Sequence, residues 1–313
     1  MKYVNPGLKI LCQSTGINEI TDYNKNPING HSLYGDFVIE FENLGKDIFC
    51  KFDVYCQNKN NFYFYFRGLN GYLGEIYIDT SDDSYFIYQR SRTTSLSNII
   101  NYLTNNDINH FFIHFNLGTF DMDEESWTGG NIELRINDYI FTANLGNILD
   151  ENIYSSSSQY FNFKATSNCP VSNIIISDEE IDSKEQIVIL PVTSIDTDMT
   201  DNNDGSYTAT KEDQYILQTV DAANLISKFG RKSEITSIII AGLPAYKTTD
   251  GLSSLISIES NNNNIIEGTT KTLETYYGDD DYYDEHKILI TKNISNMTLN
   301  DLTGKQYGFK VGV

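Results

Sequence analysis

Hydrophobic and polar residues alternate with period two over much of the first half of the chain, which is typical of half-buried strands. Turn-forming stretches such as Asn58–Asn61, Asn70-Gly71 and Ser81–Asp83 separate the alternating runs. The pattern predicts strands over Phe37–Asn43, Ile48–Gln57, Phe62–Arg67, Gly74–Asp79, Ser84–Gln89, Phe111–Leu117, Asn131–Ile136 and Tyr139–Asn144.

Two short segments carry a different signal. Asn137-Asp138 lies between two alternating runs and predicts a tight hairpin. Ser95–Leu103 carries apolar residues at helical spacing, Leu96, Ile99, Ile100 and Leu103, which predicts one or two helical turns with Ser95 as a cap. The remaining pattern, many short strands about ten residues apart, favours an antiparallel two-sheet sandwich.

The sandwich is predicted to end after the β-branched run Ile174–Ile176, where the sequence turns acidic at Asp178. A new set of strands begins after Pro191, so we place a domain boundary between Asp178 and Pro191. The predicted organisation is an N-terminal arm or first strands over residues 1–34, a β-sandwich over 35–181, a linker over 182–191 and a second domain over 192–313.

The second domain is predicted to be smaller and mainly β. Asp221–Gly230 predicts one short helix, because Asp221 can cap its start and Gly230 can end it. The strands predicted beside it are Ile235–Ala241, Leu255–Ser260, Lys287–Lys292 and Gln306–Val311.

The charge balance is strongly acidic, with 22 Lys and Arg against 43 Asp and Glu and a formal net charge of −21. A negatively charged surface disfavours binding to nucleic acid phosphates and anionic lipids. No apolar run of signal-peptide length follows Met1, and no apolar run reaches 18 residues, so neither secretion nor membrane insertion is expected.

The cysteines are few and scattered, at Cys12, Cys50, Cys56 and Cys169, and we expect them to be reduced core thiols. A regular strand holds Cys50 and Cys56 about 20 Å apart, too far to bridge each other. His110 and His114 have a spacing that ligates metal on a helix, but on a strand they stand about 13 Å apart. No cofactor is predicted.

Four segments resemble successive strands of the concanavalin-like, laminin-G-like jelly roll: Asp47–Tyr55, Phe111–Phe115, Asn131–Phe141 and Val171–Ser177. The resemblance covers residues 35–181. It implies an all-β fold, a concanavalin-like jelly-roll sandwich, followed by the smaller mainly-β domain with one short helix.

Three segments of the second half are similar to virion and tail-associated proteins of bacteriophages and prophages: Thr197–Thr210, Leu217–Asp221 and Ala241–Thr248. This resemblance implies a non-enzymatic structural or host-contact protein of a virion assembled in the host cytoplasm. Its expected partners are other virion proteins, a host surface glycan and further copies of the chain. The alternative is a free carbohydrate-binding or carbohydrate-cleaving protein.

The predicted ligand site is the loop edge from Asp121 to Gly130. It combines carboxylates, the only Trp of the chain as a stacking plate, and two glycines that permit close backbone approach. The residues are Asp121, Asp123, Glu124, Trp127, Gly129 and Gly130. An equally weighted alternative is an acidic hairpin closed by a buried indole.

Acidic motifs elsewhere carry a weaker signal. Glu180, Asp182 and Glu185 match the spacing of the catalytic strand of some jelly-roll glycosidases, although a solvated acidic turn is the favoured interpretation. Oxygen-rich loops around Asp196–Asp204 and Asp279–Asp281 suit calcium, but the first lacks the bidentate Glu of an EF-hand loop, and the metal is left open.

Two tyrosine pairs set among acids predict a contact surface rather than a core, because protein interfaces are enriched in Tyr. They are Tyr276, Tyr277, Tyr282 and Tyr283. Because each chain carries −21, copies repel one another unless the shared surface is apolar. We therefore predict a homo-oligomer with a mainly apolar, Tyr-rich interface.

Overall fold

The computed structural model describes residues 2–8, 12, 16–41, 45–68, 74–82, 84–88, 92–96, 98–149, 159–182, 185–242, 254–261, 264–272 and 288–312. The chain forms two compact units, which divide between Ile189 and Leu190. The predicted interface residues Tyr276, Tyr277, Tyr282 and Tyr283 lie outside the described residues.

Unit 1 is built from strands, because its sequence alternates between buried apolar and outward polar positions. In chain order the strands are β1 Lys2–Asn5, β2 Asn18–Thr21, β3 His31–Phe41, β4 Asp47–Cys56, β5 Tyr63–Gly68, β6 Gly74–Asp79, β7 Tyr85–Tyr88, β8 Arg92–Ser95, β9 Asp107–Asp121, β10 Ser126–Ile136, β11 Tyr139–Asn144, β12 Ile148–Leu149, β13 Gln159–Ala165 and β14 Val171–Ser177. Every pairing among them is antiparallel.

The strands follow the order β11-β10-β9-β4-β14-β3-β13-β5-β6-β7-β8, with β1, β2 and β12 attached at the side. This path folds back on itself. The two ends of the order meet, since Phe86 of β7 packs against Phe141 of β11 with ring centroids 5.6 Å apart. The Arg92 guanidinium of β8 also donates to the Asn144 carbonyl oxygen of β11. The result is a two-layer sandwich, one layer centred on β4 and β9 and the other on β5 and β13.

Phenylalanine rings fill the space between the layers. Phe52 of β4 is fully buried and lies with its ring centroid 5.1 to 5.4 Å from four others, in neighbouring and opposite strands. These partners are Phe64, Phe66, Phe111 and Phe163. Aromatic pairs at this separation add to the hydrophobic effect of burial. The predicted all-β sandwich is confirmed by this architecture.

Residues 1–34 are part of unit 1. Strand β1 pairs with β14 and β2 pairs with β3, and the buried Asn26 amide donates to the Pro6 and His31 carbonyl oxygens. The Asn29 side chain also holds the last residues of unit 1, because it donates to the Ile187 carbonyl oxygen and accepts from the Ile189 N–H. The segment up to Ile189, predicted in part as a linker, is thus held by side-chain hydrogen bonds to unit 1.

Two local predictions from the sequence have different outcomes. Among the described residues of Ser95–Leu103 the structure has a 3-10 turn, Ile99–Asn101, in place of a helix, and Ser95 is the last residue of strand β8 instead of a helix cap. Leu96, Ile99 and Leu103 are nevertheless buried as predicted. The Asn137-Asp138 hairpin is confirmed, since Ile136 pairs with Tyr139 and Asn137 has a φ of 51°.

Strand β4 is buried on both faces. Cys50, Phe52, Val54 and Cys56 point inward, as predicted from the alternation. Lys51 and Asp53, on the opposite side of β4, are also only 7% and 6% exposed. All four cysteines are free and buried.

Unit 2 has a five-stranded antiparallel sheet of order β15-β18-β23-β20-β21 and two smaller pairs, β16-β17 and β19-β22. Its elements are β15 Val192–Thr197, β16 Thr200–Asp201, β17 Tyr207–Thr208, β18 Tyr215–Val220, α1 Ala223–Phe229, β19 Glu234–Gly242, β20 Ser254–Asn261, β21 Asn264–Thr272, β22 Ile288–Thr298 and β23 Gln306–Gly312.

The short helix of unit 2 is confirmed with nearly the predicted ends. Asp221 accepts the Ala223 N–H through its side chain at 2.8 Å, and Gly230 follows the last helical residue with a φ of 89°. Of the apolar residues at helical spacing, Ala222 and Leu225 are buried, and Ile226 and Phe229 are half-buried. Within the described ranges no helix is long and apolar enough to span a membrane.

Candidate functional site

The predicted ligand loop is the tip of the hairpin between β9 and β10. Asp121 accepts the N–H groups of Asp123 and Glu124 at 2.9 and 3.2 Å through one carboxylate oxygen. The tip is exposed to solvent. One oxygen of the Asp121 carboxylate is therefore already used to hold the turn, and the loop's role in ligand binding stays a prediction.

Trp127 is half-buried and lies against Phe120 of the paired strand, with ring centroids 5.0 Å apart. The next outward pair is Gly129 opposite Gly118, both with positive φ. A Cβ on Gly118 would collide with the Thr128 carbonyl oxygen, whereas one on Gly129 would meet nothing. The hairpin can bend here because both strands carry glycine.

The Glu180–Glu185 segment follows β14, and its described residues, Glu180–Asp182 and Glu185, belong to no strand. Glu180 and Asp182 are exposed, Ile181 between them is buried, and the Glu185 carbonyl oxygen accepts a hydrogen bond from the Lys51 ammonium. The spacing therefore does not place these carboxylates on one face of a strand, as the glycosidase motif requires.

The acidic stretch proposed for calcium folds into its own turns. Asp201 accepts the Asn203 N–H, and Asp204 accepts both the N–H and the hydroxyl of Ser206. The Ser206 hydroxyl is the main cause that lowers the pKa of Asp204. In the part of the chain that the structure describes, no group of three or more His, Cys, Asp or Glu could hold a metal ion. Calcium binding stays a prediction.

One outer face of the sandwich carries His110 and His114, both on β9 as predicted. We call it the histidine face; it consists of Asp47, Phe49, Lys51, Asp53, His110, Phe112, His114, Glu133 and Arg135. Its ionisable groups mostly pair with each other. His110 Nδ1 lies 2.7 Å from Asp53, His114 Nε2 lies 3.0 Å from Asp47, and Arg135 lies 2.7 Å from Glu133.

The Asp53 carboxylate is the best-held group of the histidine face. Its second oxygen accepts from the Asn173 amide at 2.8 Å, and Asn173 sits with a φ of 50° at the irregularity between β14 and β4. The hydrogen bond that His110 donates to Asp53 raises the pKa of His110. The two histidines thus bind different carboxylates instead of one shared ion.

The other outer face is lined by tyrosines on three neighbouring strands. We call it the tyrosine face and define it by seven of the outward residues of β5, β6 and β7: Tyr63, Tyr65, Arg67, Glu75, Tyr77, Asp79 and Tyr85. It arises because these strands alternate strictly. Phe64, Phe66, Ile76, Ile78 and Phe86 point into the core and are fully buried.

Strand register brings the rings together. Tyr65 pairs with Tyr77, and Tyr77 pairs with Tyr85 across the next ladder. The rings of Tyr77 and Tyr85 stack at 4.9 Å, and Tyr63 meets Tyr77 edge-on at 5.8 Å. All four rings are half-buried, so packing restrains them while part of each ring stays open to solvent.

Polar groups stand beside these rings. The Arg67 guanidinium pairs with Glu75 at 3.1 Å. Burial, then the Glu75 carboxylate, raises the pKa of Tyr65, and burial, then Asp79, raises the pKa of Tyr77. Both phenols therefore keep their protons at neutral pH and can donate hydrogen bonds.

Asp79 has the opposite shift. The Ser81 hydroxyl donates to its carboxylate at 2.6 Å and is the main cause that lowers the pKa of Asp79. Asp79 is therefore an acceptor at neutral pH. The tyrosine face offers phenol donors, a guanidinium and two carboxylates within a surface of aromatic rings.

Sequence reasoning assigned β5, β6 and β7 as strands but did not recognise this face as a site. The signal was present in Tyr63-Phe64-Tyr65-Phe66-Arg67, where Phe and Tyr alternate, and in Glu75–Asp79, where Ile alternates with polar residues. The alternation separates a Phe side from a Tyr side.

No protein-family model and no curated protein matches the sequence. Among solved structures, the alginate lyase vAL-1 from Chlorella virus is similar over 56% of this chain and 90% of its own, with 13% identity and a TM-score of 0.33. A lectin from Bauhinia forficata in complex with GalNAc is similar over 56% and 97%, with 11% identity and a TM-score of 0.32.

A third similar structure is the lectin UEA-II complexed with galactose. It is similar over 56% of this chain and 98% of its own, with 7% identity and a TM-score of 0.29. At these TM-scores and identities, the likeness carries no inference about what this chain binds or catalyses.

Proposed function

We propose that unit 1 binds a carbohydrate on the tyrosine face. The observation that carries the proposal is the cluster of four half-buried tyrosines around the Arg67–Glu75 pair on adjacent strands. Sugars present apolar C–H surfaces and many hydroxyls. Aromatic side chains with a few fixed polar groups suit both.

The tyrosine face is also preorganised. Tyr77 is held by Tyr63 on one side and Tyr85 on the other, and Arg67 is held by Glu75. Binding therefore costs little additional side-chain entropy, which otherwise reduces affinity by about 0.5 to 1.5 kcal/mol per immobilised side chain.

The charges favour an uncharged saccharide. Arg67 is paired with Glu75, and on the neighbouring strand β13 Lys164 lies opposite Asp36 in register. Each cation of this surface thus has a carboxylate residue beside it. Such a surface attracts an anionic polysaccharide only weakly, particularly in a chain with a net charge of −21.

A glycan array followed by calorimetry on the best-bound neutral glycan tests the proposal. We expect Tyr77→Ala and Arg67→Ala each to weaken binding at least about tenfold, the loss typical of a central contact residue. Tyr77→Phe keeps the aromatic ring and removes the hydroxyl, so it separates their contributions to affinity.

Ile140→Ala is the matched control, because Ile140 is 61% exposed on β11, away from the tyrosine face. Unchanged affinity in both Tyr77→Ala and Arg67→Ala, with both variants folded, would overturn the proposal. So would the absence of binding to every neutral glycan on the array.

The competing hypothesis is that the protein cleaves carbohydrate. The sequence resemblance instead implies a non-enzymatic protein. Cleavage needs one carboxyl group that donates a proton, and the lowered pKa of Asp79 removes it from that role. Release of reducing sugar that disappears in Glu180→Gln would establish cleavage at the acidic segment after β14.

The virion role stays a prediction from sequence resemblance, together with other virion proteins and a host surface glycan as partners. A glycan-binding surface suits a part of a particle that contacts a host cell. Mass spectrometry of purified particles tests this role directly, and absence of the chain from them would contradict it.

A further inference from the structure

Two of the four cysteines lie opposite each other on neighbouring strands. In the ladder between β4 and β14, Val54 pairs with Val171. The same register continues into the residues just before β14, because the Tyr55 N–H donates to the Pro170 carbonyl and the Gln57 N–H donates to the Asn168 carbonyl. Cys56 lies between these two hydrogen bonds and faces Cys169.

The hydrogen bonds also define what kind of pair this is. Residues 55 and 170, and residues 57 and 168, are joined by backbone bonds, so Cys56 and Cys169 occupy the non-hydrogen-bonded position between them. In antiparallel strands that position holds the two Cα atoms about 4.5 Å apart. A disulfide spans Cα separations of about 4.4 to 6.8 Å.

Both side chains point the same way. Val54 and Val171, two pairs away, are fully buried, and alternation returns Cys56 and Cys169 to that inward side. Both cysteines have no exposed surface. Cys169 also lies close enough to Cys56 to be among the causes that raise the pKa of Cys56.

We propose that Cys56 and Cys169 form a cross-strand disulfide when the protein meets a disulfide-bearing oxidant. One thiolate attacks a sulfur of the oxidant, which forms a mixed disulfide and releases one thiol. The second cysteine then attacks the mixed disulfide at the protein sulfur, and a second thiol leaves. Two protein thiols are oxidised, and the oxidant's disulfide is reduced to two thiols.

The reaction is slow in the native protein. Burial raises the pKa of Cys56 to about 12 and also raises that of Cys169, and exchange requires the thiolate and access to it. Access comes from local opening of the turns that flank the pair, at 57–62 and 166–169. The disulfide then ties together the turns at this end of the β4–β14 ladder.

In its described strand pairings, Cys50 has no cysteine opposite it. Cys50 lies on β4 with the same inward orientation, but it is opposite Ile176 on one side and Ile113 on the other. Cys50→Ala is therefore a matched control that removes a buried thiol of the same strand. Cys12 accepts a hydrogen bond from the Asn5 amide.

The test incubates the whole protein with oxidised glutathione and maps peptides without reduction. We expect two of the four thiols to be lost and one peptide that links Cys56 to Cys169, in the wild type and in Cys50→Ala. Cys56→Ser and Cys169→Ser should give no linked peptide. The oxidised wild type should melt about 5 °C or more above the reduced form, because the bridge closes a long loop.

The wild-type peptide map alone can refute the proposal. Four free thiols after prolonged incubation would overturn it, as would a bridge that contains Cys12 or Cys50. A Cys56–Cys169 bridge that appears only after the chain has been unfolded would also overturn it, since the native register would then not be its cause.

Discussion

At the scale of single residues, His110 gives a prediction that depends on pH. Its pKa is raised, first by the hydrogen bond to Asp53, so the folded protein binds this proton more tightly than the unfolded chain. The resulting stability is fully present below the ordinary His value of about 6.5 and is lost as pH rises through the raised folded value. The free energy of unfolding should therefore fall across this window.

Urea unfolding at a series of pH values from 6 upward measures this slope, and NMR titration of the imidazole gives the pKa itself. His110→Gln should remove the contribution, while Asp53→Asn should return the pKa of His110 toward its ordinary value. A His110 that titrates at or below about 6.5 would contradict the prediction.

The second residue-scale prediction concerns Trp127. Its substitution distinguishes the two candidate ligand sites, the β9–β10 hairpin tip and the tyrosine face. Its ring is half-buried against Phe120. Trp127→Ala should cost about 1 to 2 kcal/mol of stability, less than the 3 to 5 kcal/mol of a fully buried aromatic, and should leave glycan affinity unchanged. Lost glycan binding with an unchanged melting temperature would instead place the site at the hairpin tip.

At the scale of elements, Gly118 and Gly129 form a matched pair in the β9–β10 hairpin. Both have positive φ, which costs a non-glycine residue about 1 to 2 kcal/mol. Only at Gly118 would an added Cβ also collide with the opposite backbone. Gly118→Ala should therefore lower the free energy of unfolding by about 1 to 3 kcal/mol more than Gly129→Ala.

Denaturant unfolding of the two variants gives this difference directly. Equal losses of unfolding free energy in Gly118→Ala and Gly129→Ala would mean that the hairpin relaxes around the new methyl group. The bend at Gly118 and Gly129 would then not be rigid.

Elements were predictable from the sequence where one residue type dominates each side of a strand. The Phe side of Tyr63–Arg67 identifies both a strand and its buried face. The segment Ser95–Leu103 was not predictable as a 3-10 turn, because its apolar spacing fits a helix, and the pairing of Ser95 with Tyr85 of β7 is a contact with another strand that this spacing does not report.

The candidate site was not predictable for a related reason. Tyr65 and Tyr77 are each an outward residue of an ordinary strand, and their contact depends on which strands become neighbours. The pairing of β5 with β13, almost one hundred residues later in the chain, is equally long-range. Periodicity reports which side of a strand is buried but contains no information about its neighbours.

At the scale of the whole molecule, the prediction of a homo-oligomer concerns charge and apolar surface together. The described residues include exposed apolar side chains on both outer strands of the five-stranded sheet of unit 2. Val192 and Ile195 lie on β15, and Ile265 and Ile266 lie on β21. Copies with −21 charges repel at long range, so association requires such short-range apolar contacts.

Sedimentation at micromolar concentration in low and high salt tests this. We expect an oligomer that salt weakens little, because salt screens the repulsion between copies and leaves apolar contacts intact. A monomer in both conditions would contradict it, and dissociation at high salt would point to an interface held by ion pairs.

The position of β13 and β14 within the strand order has a consequence for synthesis of the chain. β14 separates β4 from β3, and β13 separates β3 from β5, so three early strands have no direct pairing with one another. At about 5 to 20 residues per second, a ribosome needs several seconds to proceed from the end of β5 to β13. During that interval the nascent chain presents unpaired strand edges rich in Phe, which are prone to aggregate. Unit 1 therefore completes its sheet only after its last strand has emerged, and holdase chaperones that bind this nascent segment should raise its yield.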